Sequence, residues 1–385
     1  MLSRRAILRR LGSTAAGAAA VPSLLRASAR AQANEASLEP VGGADVDAVL
    51  RLNRSQNAYG PSRKVMAAIE EAARECATLD SEAETDRLQQ QLARIHRVAP
   101  EQVILGCGSS EIVRIAIETF AGAGRMLVAG LPTFDLVEEC GGKCGAQIAP
   151  VWLTGTHSHD LDAMRARVGA RSGLVYICNP NTPTGTLSGR EDIEAFVRSL
   201  PRDVHVLIDE AYHHYVGASA DYASFIDRPI ADDRVIVSRS FSKVYGLAGM
   251  RIGYAISSPE TARALLRYGS RTGVNAIAAR GAAAALEDAG FVQASVARNA
   301  DDRQEFFNQA NARMLRVIDS QTNFVLLDAD RPAGAVVEHL RTRRVIVPPP
   351  AAGFPTHIRV SLGTPAQMRE FWRAMDLLPM HRMSM

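Results

Sequence analysis

Beyond about residue 100, short apolar runs alternate with helix-length amphipathic stretches, and few architectures accept that order. Such alternation builds a mostly parallel central sheet covered by helices on both faces, the α/β class. The apolar runs predict strands over Val103–Leu105, Met126–Ala129, Leu174–Cys178, Val204–Ile208, Val235–Ser238 and Ile252–Ile256. Helical patterns lie between most of them, among them Ser110–Phe120, Arg190–Leu200 and Glu260–Tyr268. After about Asn275 the chain becomes Ala-rich and helical, then offers strands at Asn323–Leu327 and His357–Leu362. A smaller α/β domain is expected there, completed by an N-terminal arm. The division is 1–33, 34–78, 79–274 and 275–385, as leader, arm, large domain and small domain.

The leader carries its own signature. Ser3-Arg4-Arg5-Ala6-Ile7-Leu8-Arg9 precedes a weakly apolar, Ala- and Gly-rich stretch from Leu11 to Leu25, and Ala31 and Ala33 offer a cleavage site. This order reads as a twin-arginine export signal, with a mature chain that starts near Asn34 and lies in the periplasm. The leader holds six arginines and no acid, so its removal turns the formal charge of +3 into about −3. With no clustered basic surface left, nucleic-acid binding is not supported. No later uncharged apolar run reaches the ~18 residues of a membrane span. The five cysteines are an odd number; Cys140 and Cys144 invite a bridge, although small buried thiols suit such residues as well.

Chemistry concentrates at the ends of the apolar runs. The chain has three lysines, and Lys64 and Lys143 both read as solvated surface residues. Lys243 instead ends Ser238-Arg239-Ser240-Phe241-Ser242-Lys243 and precedes Gly246-Leu247-Ala248-Gly249-Met250-Arg251. Two hydroxyls and a guanidinium therefore surround one amine, a set that suits a phosphate dianion beside a nucleophile. Taken alone, Lys243 also fits a salt-bridged structural role. In Val206-Leu207-Ile208-Asp209-Glu210-Ala211-Tyr212, an apolar strand runs into a carboxylate where open α/β sheets bind ligands. Asp209 there can hold a pyridine nitrogen protonated, or simply cap a helix, and Tyr212 can donate to a ring oxygen. A third strand end leads into the tight turn Cys178-Asn179-Pro180-Asn181-Thr182-Pro183-Thr184-Gly185. Ser109 and Ser110 stand where a strand gives way to a helix, leaving backbone N–H groups free for an anion. His157, His159, His213 and His214 lack regular metal-ligand spacing and read as substrate-entrance or surface residues, so no metal is expected.

Together these elements resemble the class I/II fold of pyridoxal-phosphate aminotransferases, most closely the histidinol-phosphate aminotransferase family, over roughly Arg51 to Met368. The resemblance implies a fold type I enzyme that holds pyridoxal 5'-phosphate, moves an amino group between an amino acid and a 2-oxo acid, and works as a homodimer. By position it implies Lys243 as the Schiff-base and proton-transfer lysine, Asp209 under the ring nitrogen and Tyr212 at the phenolic oxygen. It implies Ser109, Ser110, Ser240, Ser242 and Arg251 at the phosphate, Phe134 against the ring, and Arg359 and Tyr59 at the substrate. Asn181 or Thr182 takes the place of the family's asparagine before Pro-Thr-Gly. Other departures are Ser55 and Ala58 in the N-terminal motif, Thr78-Leu79-Asp80-Ser81 in place of an Arg-Tyr-Pro-Asp segment, and Val347-Pro348-Pro349-Pro350 in place of a Gly-Arg pair. The last two of these departures weaken the case for a phosphorylated substrate. Decarboxylation, racemisation and ligand binding without turnover remain open on the same residues.

Overall fold

A computed structural model describes residues 49–217, 219, 221–269 and 273–379; the expected export signal lies outside them. Its strands, in chain order, are β1 (Leu50–Arg51), β2 (Val103–Gly106), β3 (Met126–Leu131), β4 (Gln147–Trp152), β5 (Ser172–Cys178) and β6 (His205–Asp209). They continue with β7 (Val235–Ser240), β8 (Gly253–Ile256), β9 (Arg316–Ile318), β10 (Phe324–Asp328), β11 (Val345–Ile346) and β12 (His357–Ser361).

Seven strands form the central sheet in the order β2-β8-β7-β6-β5-β3-β4. The inner strands β3, β5, β6 and β7 run parallel, whereas β8 is antiparallel to both β2 and β7. Every residue of β5 and β7 is buried, which is why both read as apolar or small-residue runs rather than alternating ones, apart from Arg239, which is paired with Glu210. One core cluster covers one face with Leu88, Leu92, Ile193, Phe196 and Phe241, and a second covers the other with Ile112, Ile115, Phe120 and Val137.

β4 eluded the sequence reading. Its burial alternates, it carries Pro150, and it forms an edge, the position where a strand tolerates proline. The short strands β1, β9 and β11 offer too few residues for any period to emerge.

The C-terminal part holds a three-stranded antiparallel sheet, β12-β10-β9. Its separate core contains Phe306, Val325, Ile358, Phe371 and Trp372, and the arm adds Leu52. β1 pairs in parallel with β11, so residues just after Val49 are anchored on the C-terminal part. The Ala-rich helix Ala276–Leu286 behaves differently, because Ala278, Ala279, Ala282 and Ala285 pack into the same core as Val65 and Leu88. All five cysteines are free thiols; Cys140 and Cys178 are buried, while Cys76 and Cys107 are exposed.

Candidate active site

The parallel strands deliver their functional residues to one edge. β6 ends on Asp209, β5 on Cys178 and β7 on Ser240, all at carboxyl ends, the location where open α/β sheets bind ligands. There a cavity of about 280 Å³ is lined by ten of the thirteen expected residues: Ser109, Ser110, Phe134, Thr182, Asp209, Tyr212, Ser240, Ser242, Lys243 and Arg251. A larger hollow of about 1040 Å³ sits at the opposite ends of the strands, between His96, Arg202 and Asp232, and contains none of them.

Asp209 forms the floor. Its carboxylate is 3% exposed, accepts hydrogen bonds from the Tyr176 hydroxyl (3.0 Å), the Ser238 hydroxyl (3.1 Å) and the Ala211 amide (3.1 Å), and has no ion-pair partner among the described residues. Burial pushes its proton affinity up, and the surrounding donors together with the Lys243 ammonium pull it back. Tyr176 and Ser238 were not singled out from the sequence. Ser238 stands opposite Asp209 in the β6–β7 register, and such pairings cannot be read before strand order is known.

Lys243 is half-buried beside this floor, with Nζ 3.4 Å from the Arg54 and Ser55 carbonyls and 4.7 Å from the centre of the Tyr212 ring. Neither of the other lysines resembles it. Lys64 pairs with Glu287 and Lys143 with Glu139 on the surface.

At the far end, Arg251 reaches the Ser242 hydroxyl (3.3 Å), the Ala248 carbonyl (3.1 Å) and the Ser110 hydroxyl (3.5 Å), and no described carboxylate pairs with it. The helix Ser109–Ala121 starts at the same place, so its free N–H groups add to the positive field. Gly108 makes that approach possible: its φ of 78° excludes most side chains, and a Cβ there would run into the Arg251 guanidinium.

Three of the expected residues do not line this cavity. Asn181 is fully buried in its own turn, where it accepts from the Thr133 hydroxyl (2.9 Å) and donates to the Pro132 carbonyl (3.2 Å) and the Thr184 hydroxyl (3.0 Å); Thr182 is the one facing the cavity. Tyr59 does not line this cavity. Its hydroxyl donates to Asp302 (3.0 Å) and accepts from Arg298 (2.9 Å), partners on a helix more than 200 positions away. Arg359 stands behind Thr182, donating to its hydroxyl (3.0 Å) and to the Asn53 carbonyl (3.0 Å), with its guanidinium 5.4 Å from the Phe324 ring centre. Its buried Nε has no partner, an unmet donor that a carboxylate would satisfy.

One histidine also differs from expectation. His159 is buried, bonds the Cys178 carbonyl through Nε2 (3.0 Å), and is held by burial down at a pKa of about 4. His213 contacts His214 (3.1 Å), and His214 contacts the Tyr245 hydroxyl (3.1 Å); neither lines the cavity. Behind the floor, Glu210 forms a buried ion pair with Arg239 (3.1 Å), which anchors the ends of β6 and β7 to each other.

The donor set fits pyridoxal phosphate. A buried carboxylate without an ion-pair partner among the described residues can receive the ring N–H, Arg251 with Ser110 and Ser242 can hold the phosphate, and Lys243 lines the same cavity.

Comparison with known proteins agrees. Residues 47–375 match the model for aminotransferase class I and II. The chain is 34% identical over 328 residues to histidinol-phosphate aminotransferase of Moorella thermoacetica, covering 85% of this chain and 84% of the relative. It is 32% identical over 326 residues to that of Bacillus subtilis strain 168, covering 84% and 90%. The crystal structure of histidinol-phosphate aminotransferase from Sinorhizobium meliloti in complex with pyridoxal-5'-phosphate superposes with a TM-score of 0.79 at 29% identity, covering 86% of this chain and 90% of that one. A family match over most of the chain, relatives above 30% identity and a strand-end cavity built around Lys243 converge on one assignment: the chain belongs to the class I and II aminotransferase family.

Proposed function

We propose that this chain is a pyridoxal-phosphate-dependent aminotransferase, moving an amino group between an amino acid and a 2-oxo acid, with Lys243 as its catalytic lysine. The observation that carries the reading is that Lys243 lines one cavity with the buried Asp209 carboxylate and the Arg251 guanidinium. When bound, the cofactor supplies an aldehyde for amine capture and a ring that withdraws electrons.

The chain's own groups do the rest. Arg251, Ser110, Ser240 and Ser242 fix the phosphate, and Phe134 covers the ring. Asp209 would keep the ring nitrogen charged, and Tyr212 and Thr182 would be the donors available to the phenolic oxygen. Arg359 clamps the substrate carboxylate through its unmet Nε and thereby orients the Cα–H bond. Lys243 Nζ would be the group that takes and returns that proton.

The reading favours an unphosphorylated donor, given Thr78–Ser81 and Val347–Pro350 where the family carries the segments noted above. It includes a homodimer, which a monomeric mass in light scattering would contradict. It also includes export by the twin-arginine route through Arg4 and Arg5. The experiment is a spectral titration with aromatic, imidazole and acidic amino donors, using protein recovered from the periplasmic fraction. Conversion of the cofactor absorbance by at least one donor is expected, with no recovery there after Arg4→Lys, Arg5→Lys. Silence across the panel would defeat transamination, and unaltered recovery would defeat the export route.

A further inference from the structure

We propose that Tyr176 is a positioning residue for Asp209, whose hydroxyl holds the carboxylate oriented and ionised beneath the cofactor's ring nitrogen. The inference rests on the reading of Asp209 given above. Tyr176 sits two residues before the end of β5, opposite Leu207 of β6, and is completely buried. From there its hydroxyl reaches Asp209 Oδ2 at 3.0 Å.

The two carboxylate oxygens are served unequally. Oδ1 accepts from the Ser238 hydroxyl and the Ala211 amide, while Oδ2 accepts from Tyr176. A carboxylate oxygen can accept about two hydrogen bonds, so Oδ2 retains room for one further N–H donor. Tyr176 therefore leaves that vacant direction defined.

The titratable groups facing this carboxylate are few. Cys178 and Tyr176 come from β5, and Lys243 from the loop after β7. Burial and the charge of Asp209 push the Tyr176 phenol and the Cys178 thiol well above their ordinary values, so both keep their protons. Tyr176 is thus a permanent donor. Removing its hydroxyl raises the proton affinity of the carboxylate, and the proton shared with the ring nitrogen moves toward Asp209. The ring then loses positive charge and electron-withdrawing power.

Tyr176→Phe tests this while keeping the ring volume. Reconstituted with pyridoxal phosphate, the variant should show the pH of its visible-absorbance transition raised by roughly half to one unit, and its cofactor dissociation constant raised about tenfold. In an Asp209→Asn background the same change should move neither quantity, because no charge remains to be held. An unmoved transition and dissociation constant, or an equal shift in the Asp209→Asn background, would overturn the proposal. If Tyr176→Phe does not fold, Ser238→Ala, which removes a donor from the same carboxylate, must shift the transition in the same direction, and no shift would overturn it equally. Absence of a visible band in the unmodified protein would remove the Lys243 reading as well, whereas failure of the shift alone leaves that reading standing.

Discussion

His159 shows how packing reassigns a side chain. Its neighbours Thr156, Ser158 and Asp160 are polar, yet the ring is buried beneath the end of β5 and held neutral. The consequence for stability has a definite sign. An imidazole in the unfolded chain titrates near ~6.5, while this one titrates at about 4 when folded. Between those values the unfolded chain binds more protons, so this contribution is intact above pH ~6.5 and erodes as pH falls toward ~4. Acidification from pH 7 to pH 5 should cost the unmodified protein about 1–2 kcal/mol more than His159→Gln, by denaturant titration. Equal losses in both would contradict the assignment. Other cavity residues could be grouped from the sequence because their motifs are local: Lys243, Ser240, Ser242 and Arg251 fall within one short segment, and Asp209 and Tyr212 within another. Asn181, Thr182 and Tyr59 were not separable in that way, since Thr133, Arg298, Asp302 and Arg359 decide their roles from distant parts of the chain.

At the scale of elements, the strands that carry the site were readable because full burial on both faces leaves a continuous apolar run. Strand order and direction were not, and the antiparallel setting of β8 follows from pairings that its own residues do not encode. That setting matters, because it brings Gly253 of β8 against the backbone of Gly108 and Ser109 at the mouth of the helix. The joint depends on Gly108, with φ 78° and ψ 163°, a conformation close to glycine-only. Gly108→Ala should cost about 1–3 kcal/mol of stability. It should also weaken cofactor binding, because the added methyl displaces Arg251 from the end of the cavity proposed for the phosphate. Equilibrium dialysis showing unchanged affinity would remove this helix start from the anion site.

Across the whole molecule, the cavity is assembled from parts far apart in sequence. The arm, anchored by the β1–β11 pairing, brings Arg54 and Gln56 to the rim and the Arg54 and Ser55 carbonyls to Lys243. β12 brings Arg359 against Thr182 of the turn after β5, so the proposed carboxylate clamp would draw on both parts. The alternation of strands and helices made the large sheet readable, whereas the second core gathers residues from Phe306 onward together with Leu52 of the arm. The Ala-rich helix just beyond Asn275 packs with the large core, because its small residues permit close approach to the helices Arg63–Arg74 and Ser81–His96. The central claim is that one amine in this assembly holds the cofactor. Borohydride reduction of the protein saturated with pyridoxal phosphate, followed by proteolysis and mass mapping, tests it most directly. The expected result is a reduced cofactor adduct on the peptide that contains Lys243 and on neither of those with Lys64 and Lys143. An unlabelled Lys243 peptide would contradict the account.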